Sequence, residues 1–71
     1  MFHPHTYNVG DHVVLTHELS NKEGSFDAGH PFQIIDIYVR HGAVLYDLRD
    51  SGLHLIGEVS ADDFSYPPTG P

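Results

Sequence analysis

Histidine is the residue type with the most potential for chemistry in this sequence, because seven of its 71 residues are histidines. They are His3, His5, His12, His17, His30, His41 and His54. His3 and His5 are two residues apart, so an extended backbone places both imidazoles on one side. A free amine at Met1, two amide nitrogens and the His3 imidazole could form a square plane, which suits Cu(II) or Ni(II). His3 and His5 are therefore metal-ligand candidates, and an ordinary hydrated tail is the alternative.

The remaining histidines follow no metal-binding pattern. Neither H-x-x-x-H nor H-E-x-x-H occurs, and the absence of cysteine excludes thiolate zinc sites and iron–sulfur clusters. We expect surface histidines and no cofactor. Histidine titrates near pH 6.5, so protonating all seven would bring the formal charge from −7 to zero. The sequence therefore predicts that solubility or partner affinity changes as the pH falls through this range.

No catalytic motif is present. The closest carboxylate pairs are Asp47 with Asp50 and Asp62 with Asp63, and a catalytic dyad needs burial that separates the two pKa values. Asp62 and Asp63 fit the first turn of a helix better. Neither the nucleophile elbow G-x-S-x-G nor a phosphate-binding glycine loop occurs. We predict a protein that is not an enzyme.

The charge balance limits the class of partner. Ten acidic residues face only Lys22, Arg40 and Arg49. Nucleic-acid binding depends on many lysines and arginines, and anionic membranes repel an acidic protein. We therefore expect a neutral or basic protein partner, with no direct contact to nucleic acid or membrane. The lack of cysteine, of a visible signal peptide and of a long apolar segment favours the cytoplasm.

The apolar pattern predicts a single all-β domain over residues 7–66, between a tail at 1–6 and an extended tail at 67–71. Alternation and turn residues predict five strands, at His12–His17, Phe32–Arg40, Ala43–Asp50, Leu53–Val59 and Phe64–Tyr66. The doubled isoleucine Ile34-Ile35 switches the alternation and predicts a β-bulge. His41-Gly42 and Ser51-Gly52 predict tight turns. Ser60 and Asp63 predict one capped helical turn before the last strand.

The longest irregular segment is Glu18–Pro31, and loops of this length are often functional. Phe26 is the one large apolar residue in its middle. Two interpretations are open. The ring either folds back onto the core as a lid or stands out as a contact residue for a partner.

These features together resemble the SH3-like small barrels. The residues that carry the resemblance are Gly10-Asp11-His12-Val13, the loop Glu18–Pro31, the turns His41-Gly42 and Ser51-Gly52, and Ser60–Phe64. The resemblance implies a five-stranded barrel with a short 3-10 turn before the last strand. Size and layout also resemble small free-standing proteins of bacteriophages and mobile elements. Tryptophan and the proline-docking aromatic pair are missing, so binding of proline-rich peptides is not expected.

The best predicted contact surfaces are the loop Glu18–Pro31 and one face of the second and third strands. Tyr38 shares a face with Asp36 and Arg40, and Asp47 and Arg49 lie on the neighbouring strand. These five residues, with Phe26, are the binding candidates of a non-catalytic protein-interaction module that modulates a host protein. We expect a monomer or a weak homodimer.

Two alternatives remain open at this point. One is metal binding through His3 and His5. The other is an acidic mimic of nucleic acid that blocks a DNA- or RNA-binding protein. The mimic requires seven carboxylates to cluster with phosphate-like spacing, those of Asp27, Asp36, Asp47, Asp50, Glu58, Asp62 and Asp63.

Overall fold

The computed structural model describes residues 7–22 and 24–68, and this part of the chain is built from β-strands. The strands are β1 (His12–Leu15), β2 (Leu19–Asn21), β3 (Gly24–Phe26), β4 (Pro31–Arg40), β5 (Ala43–Arg49), β6 (Leu55–Val59) and β7 (Phe64–Ser65). A 3-10 turn, η1 (Ala61–Asp63), precedes β7. The prediction of an all-β fold is confirmed.

Five strands form one antiparallel sheet in the order β6-β5-β4-β1-β7, and β2 pairs with β3 as a separate hairpin. The sheet curls, and the curl brings the ring of Tyr46 on β5 against Phe64 on β7, with 5.0 Å between ring centres. Among the described residues its end strands β6 and β7 do not pair with each other. The sheet is therefore curled but not closed into the expected barrel.

One face of the sheet forms the core, as the alternation of apolar residues predicts. Val13 lies opposite Phe32, and Ile34 lies opposite Leu48, with all four side chains buried. The buried apolar residues are Tyr7, Val13, Leu15, Phe26, Phe32, Ile34, Tyr46, Leu48, Ile56, Val59 and Phe64. Tyr46 belongs to the core, as its position among core-facing residues indicates.

A bulge interrupts the pairing of β4 with β5 between Ile34 and Asp36. Ile34 pairs with Leu48, and the next pair is Asp36 with Asp47, so Ile35 is the extra residue. The predicted bulge at the doubled isoleucine is confirmed. It puts Asp36, Tyr38 and Arg40 on the face that points away from the core.

The turn residues also act as expected. His41 and Gly42 both have positive φ, 55° and 79°, which matches the twist of a two-residue hairpin between β4 and β5. The Ser60 hydroxyl accepts a hydrogen bond from the Asp62 amide at 3.2 Å and caps η1.

The segment Glu18–Pro31 is not the irregular loop that its polar composition indicates. It contains the hairpin β2–β3, in which Leu19 pairs with Phe26 and Ser20 with Ser25. Phe26 packs against Phe32 with 5.4 Å between ring centres and is only 6% exposed. The lid interpretation of Phe26 is therefore correct, and Phe26 offers no surface to a partner.

In the described part of the chain, no helix has the length and apolar character needed to cross a membrane.

Candidate functional site

The predicted contact residues other than Phe26 share the face of the sheet that points away from the core. Directly opposed residues of an antiparallel pair point to the same face, and so do residues two apart on one strand. Asp36 opposes Asp47, and Arg49 follows Asp47 by two positions on β5. Tyr38 and Arg40 continue the same side of β4. We call Asp36, Tyr38, Arg40, Asp47 and Arg49 the outer-face patch.

Tyr38 is the centre of a hydrogen-bond network that joins three strands. Its hydroxyl donates to Asp47 Oδ1 at 2.8 Å and accepts from the Glu58 amide at 2.9 Å. The Glu58 amide also lies 3.3 Å from Asp47 Oδ1. Burial and the bond to the Asp47 carboxylate raise the pKa of Tyr38, so the hydroxyl stays protonated at neutral pH. The network fixes the tyrosine ring on the outer face.

Arg40 borders the same ring. Its guanidinium pairs with the Glu58 carboxylate and lies 5.5 Å from the centre of the Tyr38 ring. Glu58 has a φ of 58°, which non-glycine residues adopt at a cost. Gly57 precedes it, and a Cβ there would lie 3.1 Å from Asp47 Oδ1. The Asp47 carboxylate therefore approaches the Gly57 backbone closely.

Two carboxylates of the patch oppose each other directly. Asp36 and Asp47 are cross-strand partners, an arrangement that disfavours pairing between the strands. They border a shallow depression of about 570 Å³ together with Tyr38, Arg40 and Glu58. The sequence shows that Asp47 and Asp50 are close along the chain. It does not show that Asp36 lies opposite Asp47, because the bulge sets the register of the two strands.

Arg49 lies at the other end of the patch, in a polar row across three strands. His12 opposes Gln33, and Gln33 opposes Arg49. The row lines a groove of about 370 Å³ whose apolar side includes Pro31 and Leu53. Arg49 forms no ion pair with any residue in the described part of the chain.

Exposed apolar side chains flank the patch. Val39 and Val44 oppose each other near the tip of the β4–β5 hairpin and are 70% and 50% exposed. Leu53 and Leu55 are 74% and 52% exposed, and Leu55 opposes Arg49. Leu55 shares the outer face with Arg49, and Val39 lines the depression beside Tyr38 and Arg40, whereas Val44 alternates to the other side of β5.

A second cluster, which the sequence analysis missed, surrounds the buried carboxylate of Asp50. Asp50 Oδ2 lies 2.9 Å from His30 Nε2 and 3.3 Å from His54 Nδ1, and Oδ1 accepts the His54 amide at 2.8 Å. The Phe26 ring contacts both imidazoles. Burial acts to raise the pKa of Asp50, but the bonds from His30 and His54 outweigh it and the pKa falls below its ordinary value.

This cluster is structural in character. Both imidazoles bond to the Asp50 carboxylate, which joins the start of β4 to the turn before β6. In residues 7–22 and 24–68, no three histidine or carboxylate side chains are grouped as a metal site requires. The candidates His3 and His5 lie outside the described residues, so the predicted copper or nickel site stays a prediction.

The seven carboxylates named for a nucleic-acid mimic do not all lie together. Asp50 is buried under His30 and His54. Asp62 and Asp63 lie on η1, where the neighbouring Ala61 packs against the core. Asp36, Asp47 and Glu58 are the members that lie together on the outer face.

Comparison with known proteins adds no assignment. No family model matches this chain, and neither a curated protein nor a solved structure is significantly similar to it. The function has to be argued from the geometry of the outer face.

Proposed function

We propose that this protein is a small, non-catalytic protein-interaction module of the SH3-like type. The strand order β7-β1-β4-β5-β6, with the hairpin β2–β3 in the long first connection and η1 before β7, supports an SH3-like architecture. Its surface, not an enclosed cavity, carries the function, because so small a domain needs its interior for the core.

The outer-face patch and the adjoining hairpin tip form the contact surface. The observation that carries this proposal is the Tyr38 network, which holds an aromatic ring and an arginine in fixed positions beside exposed Val39, a residue of the same depression. Tyrosine and arginine are enriched at protein interfaces, and side chains already held in place lose less entropy on binding. The partner is a neutral or basic cytoplasmic protein, since a net charge of −7 repels acidic ones.

Affinity capture with matched surface variants tests this proposal. Wild-type protein, Val39→Asp and Ala28→Asp are each used as bait at low and high salt. Ala28 is a matched control because it is an exposed apolar residue in the turn between β3 and β4, outside the outer-face patch. We expect a partner that is retained by wild type and Ala28→Asp and lost by Val39→Asp. Equal retention by all three baits, or no partner at either salt concentration, would contradict the proposal.

A further inference from the structure

The outer face carries a charge pattern that is complementary to itself. On β5, Arg49 and Asp47 point to the same side two residues apart, which separates their Cα atoms by about 7 Å. Arg49 has no carboxylate partner in the described part of the chain. Asp47 uses Oδ1 for Tyr38 and the Glu58 amide, and no described residue donates to its Oδ2. Arg49, which has no carboxylate partner among the described residues, therefore lies beside Asp36 and Asp47, which have no cationic partner there.

We propose that the outer face binds a second copy of this chain, with Arg49 of each copy placed between Asp47 and Asp36 of the other. This inference rests on the proposed function, because it adds an occupant for the same surface beside the neutral or basic partner. A second copy is acidic as a whole, so it docks only through the local charge pattern. The two-fold axis lies in the interface, perpendicular to the strands, and crosses β5 at Leu48. This operation reverses the direction of β5, so each Arg49 meets the Asp47 of the second copy. The contact is isologous and closes as a dimer.

The neighbouring positions agree with this axis. On β4, Gln33 of one copy faces Asp36 of the other, and an amide can donate to a carboxylate. On β6, exposed Leu55 faces Gly57 of the second copy, where the missing side chain leaves room. Charge and hydrogen-bonding partners thus correspond across β4 and β5, and the Leu55–Gly57 pair adds an apolar contact on β6.

The dimer is expected to be weak. Each copy has a formal charge of −7, so the two copies repel each other at long range and only the local pattern attracts. A standard interface covers about 800 Å² per partner, roughly a sixth of the 4845 Å² surface of this chain. The sheet face is small, and exposed ion pairs add little energy each.

Charge reversal with complementation tests the proposal. The variants are Arg49→Asp and Asp36→Arg, since Asp36 is exposed and bonds only to the amide of Ile37, whereas Asp47 supports Tyr38. Sedimentation equilibrium is measured for each variant alone and for an equimolar mixture. Each variant alone should dimerise about tenfold more weakly than wild type, because the symmetry removes two ion pairs at once. The mixture should recover part of the dimer. One of its two contacts is that of the wild type, and in the other the introduced aspartate meets the introduced arginine as well as the unchanged Asp47.

Matched controls separate the contact from net charge and from folding. Lys22→Asp changes the net charge as Arg49→Asp does, and Asp27→Arg changes it as Asp36→Arg does, at exposed positions away from β4 and β5. Both controls should dimerise within about threefold of wild type, because they alter only long-range repulsion. Circular dichroism verifies that every variant is folded.

Two results would overturn the dimer. One is a wild-type chain that stays monomeric up to about 1 mM, a dissociation constant that corresponds to only about 4 kcal/mol of binding. The other is a mixture that associates no better than its two components. If the chain is monomeric but still captures a partner that Val39→Asp loses, the proposed function survives and only the dimer fails.

Discussion

At the scale of single residues, Asp50 shows how a carboxylate can be buried in so small a protein. Both of its oxygens accept hydrogen bonds, from His30 and from the side chain and backbone of His54. Burying an unpaired charge is costly, and the hydrogen bonds from His30 and His54 offset that cost for the Asp50 carboxylate. The two histidines lie before and after Asp50 in the chain. Asp50 thus holds the start of β4 against the turn that leads into β6.

Replacing Asp50 by asparagine tests this role. The amide keeps the shape but loses the negative charge, and its NH₂ group faces donors where an acceptor is needed. We expect Asp50→Asn to lower the free energy of unfolding by about 1–3 kcal/mol, measured by urea denaturation at neutral pH. The control is Asp27→Asn at an exposed position, which should change stability by less than about 0.5 kcal/mol. Equal stability of the two variants would show that the bonds to His30 and His54 contribute nothing.

His17 provides a pH dependence whose sign follows from its partners. Its Nε2 lies 2.7 Å from Asp63 Oδ1, and its Nδ1 lies 3.0 Å from the Glu18 carbonyl oxygen. Both partners are acceptors, so the imidazolium, which carries two N–H groups, satisfies both. The hydrogen bond to Asp63 is the main cause that raises the pKa of His17 above 6.5.

A pKa raised in the folded state stabilises the protein fully below the unfolded value and loses that effect as the pH rises through the folded value. We therefore expect wild type to exceed His17→Gln in stability by more at about pH 5.5 than at about pH 8, measured by denaturant unfolding. His12→Gln removes an exposed imidazole without a described hydrogen bond and should show no such difference. A gap between wild type and His17→Gln that widens with pH would contradict the assignment.

At the scale of elements, the irregularity of β6 is where the sheet stores strain. The register of β5 with β6 shifts between the pairs Tyr46–Val59 and Leu48–Ile56, so Gly57 and Glu58 face the single residue Asp47. Glu58 takes the positive φ, although a glycine precedes it. The bonds from its amide to Tyr38 and Asp47 hold it there.

Two substitutions at Glu58 isolate this strain. Glu58→Gly and Glu58→Ala both remove the ion pair with Arg40, and they differ only in the cost of a positive φ. We expect the glycine variant to be more stable than the alanine variant by about 1 kcal/mol, because glycine adopts this conformation without a steric penalty. Thermal and urea unfolding of the pair gives the difference. An alanine variant as stable as the glycine variant would mean that the bulge relaxes in solution.

The sequence predicts the parts of this fold that depend on neighbouring residues. The bulge follows from Ile34-Ile35, the hairpin turn from His41-Gly42, and the cap from Ser60. The hairpin β2–β3 could not be predicted, because its strands are three residues long and mostly polar. They pair because Phe26 reaches the core, which is a tertiary contact.

The candidate site, like the fold, can be predicted from the sequence only in part. Alternation along β4 and β5 predicts that Asp36, Tyr38, Arg40, Asp47 and Arg49 share a face. Which of them meet depends on register, and register follows from the bulge. The bond between His30 and Asp50 joins residues twenty positions apart, so no local pattern could reveal it.

At the scale of the whole molecule, charge dominates how copies of this protein meet one another and other proteins. The formal charge of −7 is spread over a chain with only three lysines and arginines. Carboxylates that are bonded internally, such as Asp50, Asp63 and Asp11, still count toward the long-range field. Net repulsion opposes association between copies at long range, so a dimer through the outer face would depend on its local charge pattern.

Histidine sets the pH at which this balance changes. Histidine is the residue type that changes charge between about pH 7.5 and about pH 5.5, so the formal charge of the sequence moves from −7 toward zero as the pH falls. We expect solubility, measured by precipitation with polyethylene glycol, to decrease steadily from about pH 7.5 to about pH 5.5, because repulsion between copies disappears. A variant with His12→Gln and His41→Asn, both at exposed positions, gains two fewer positive charges and should lose less solubility over the same range. If both proteins stayed equally soluble throughout, repulsion from net charge would not be what keeps the molecules apart.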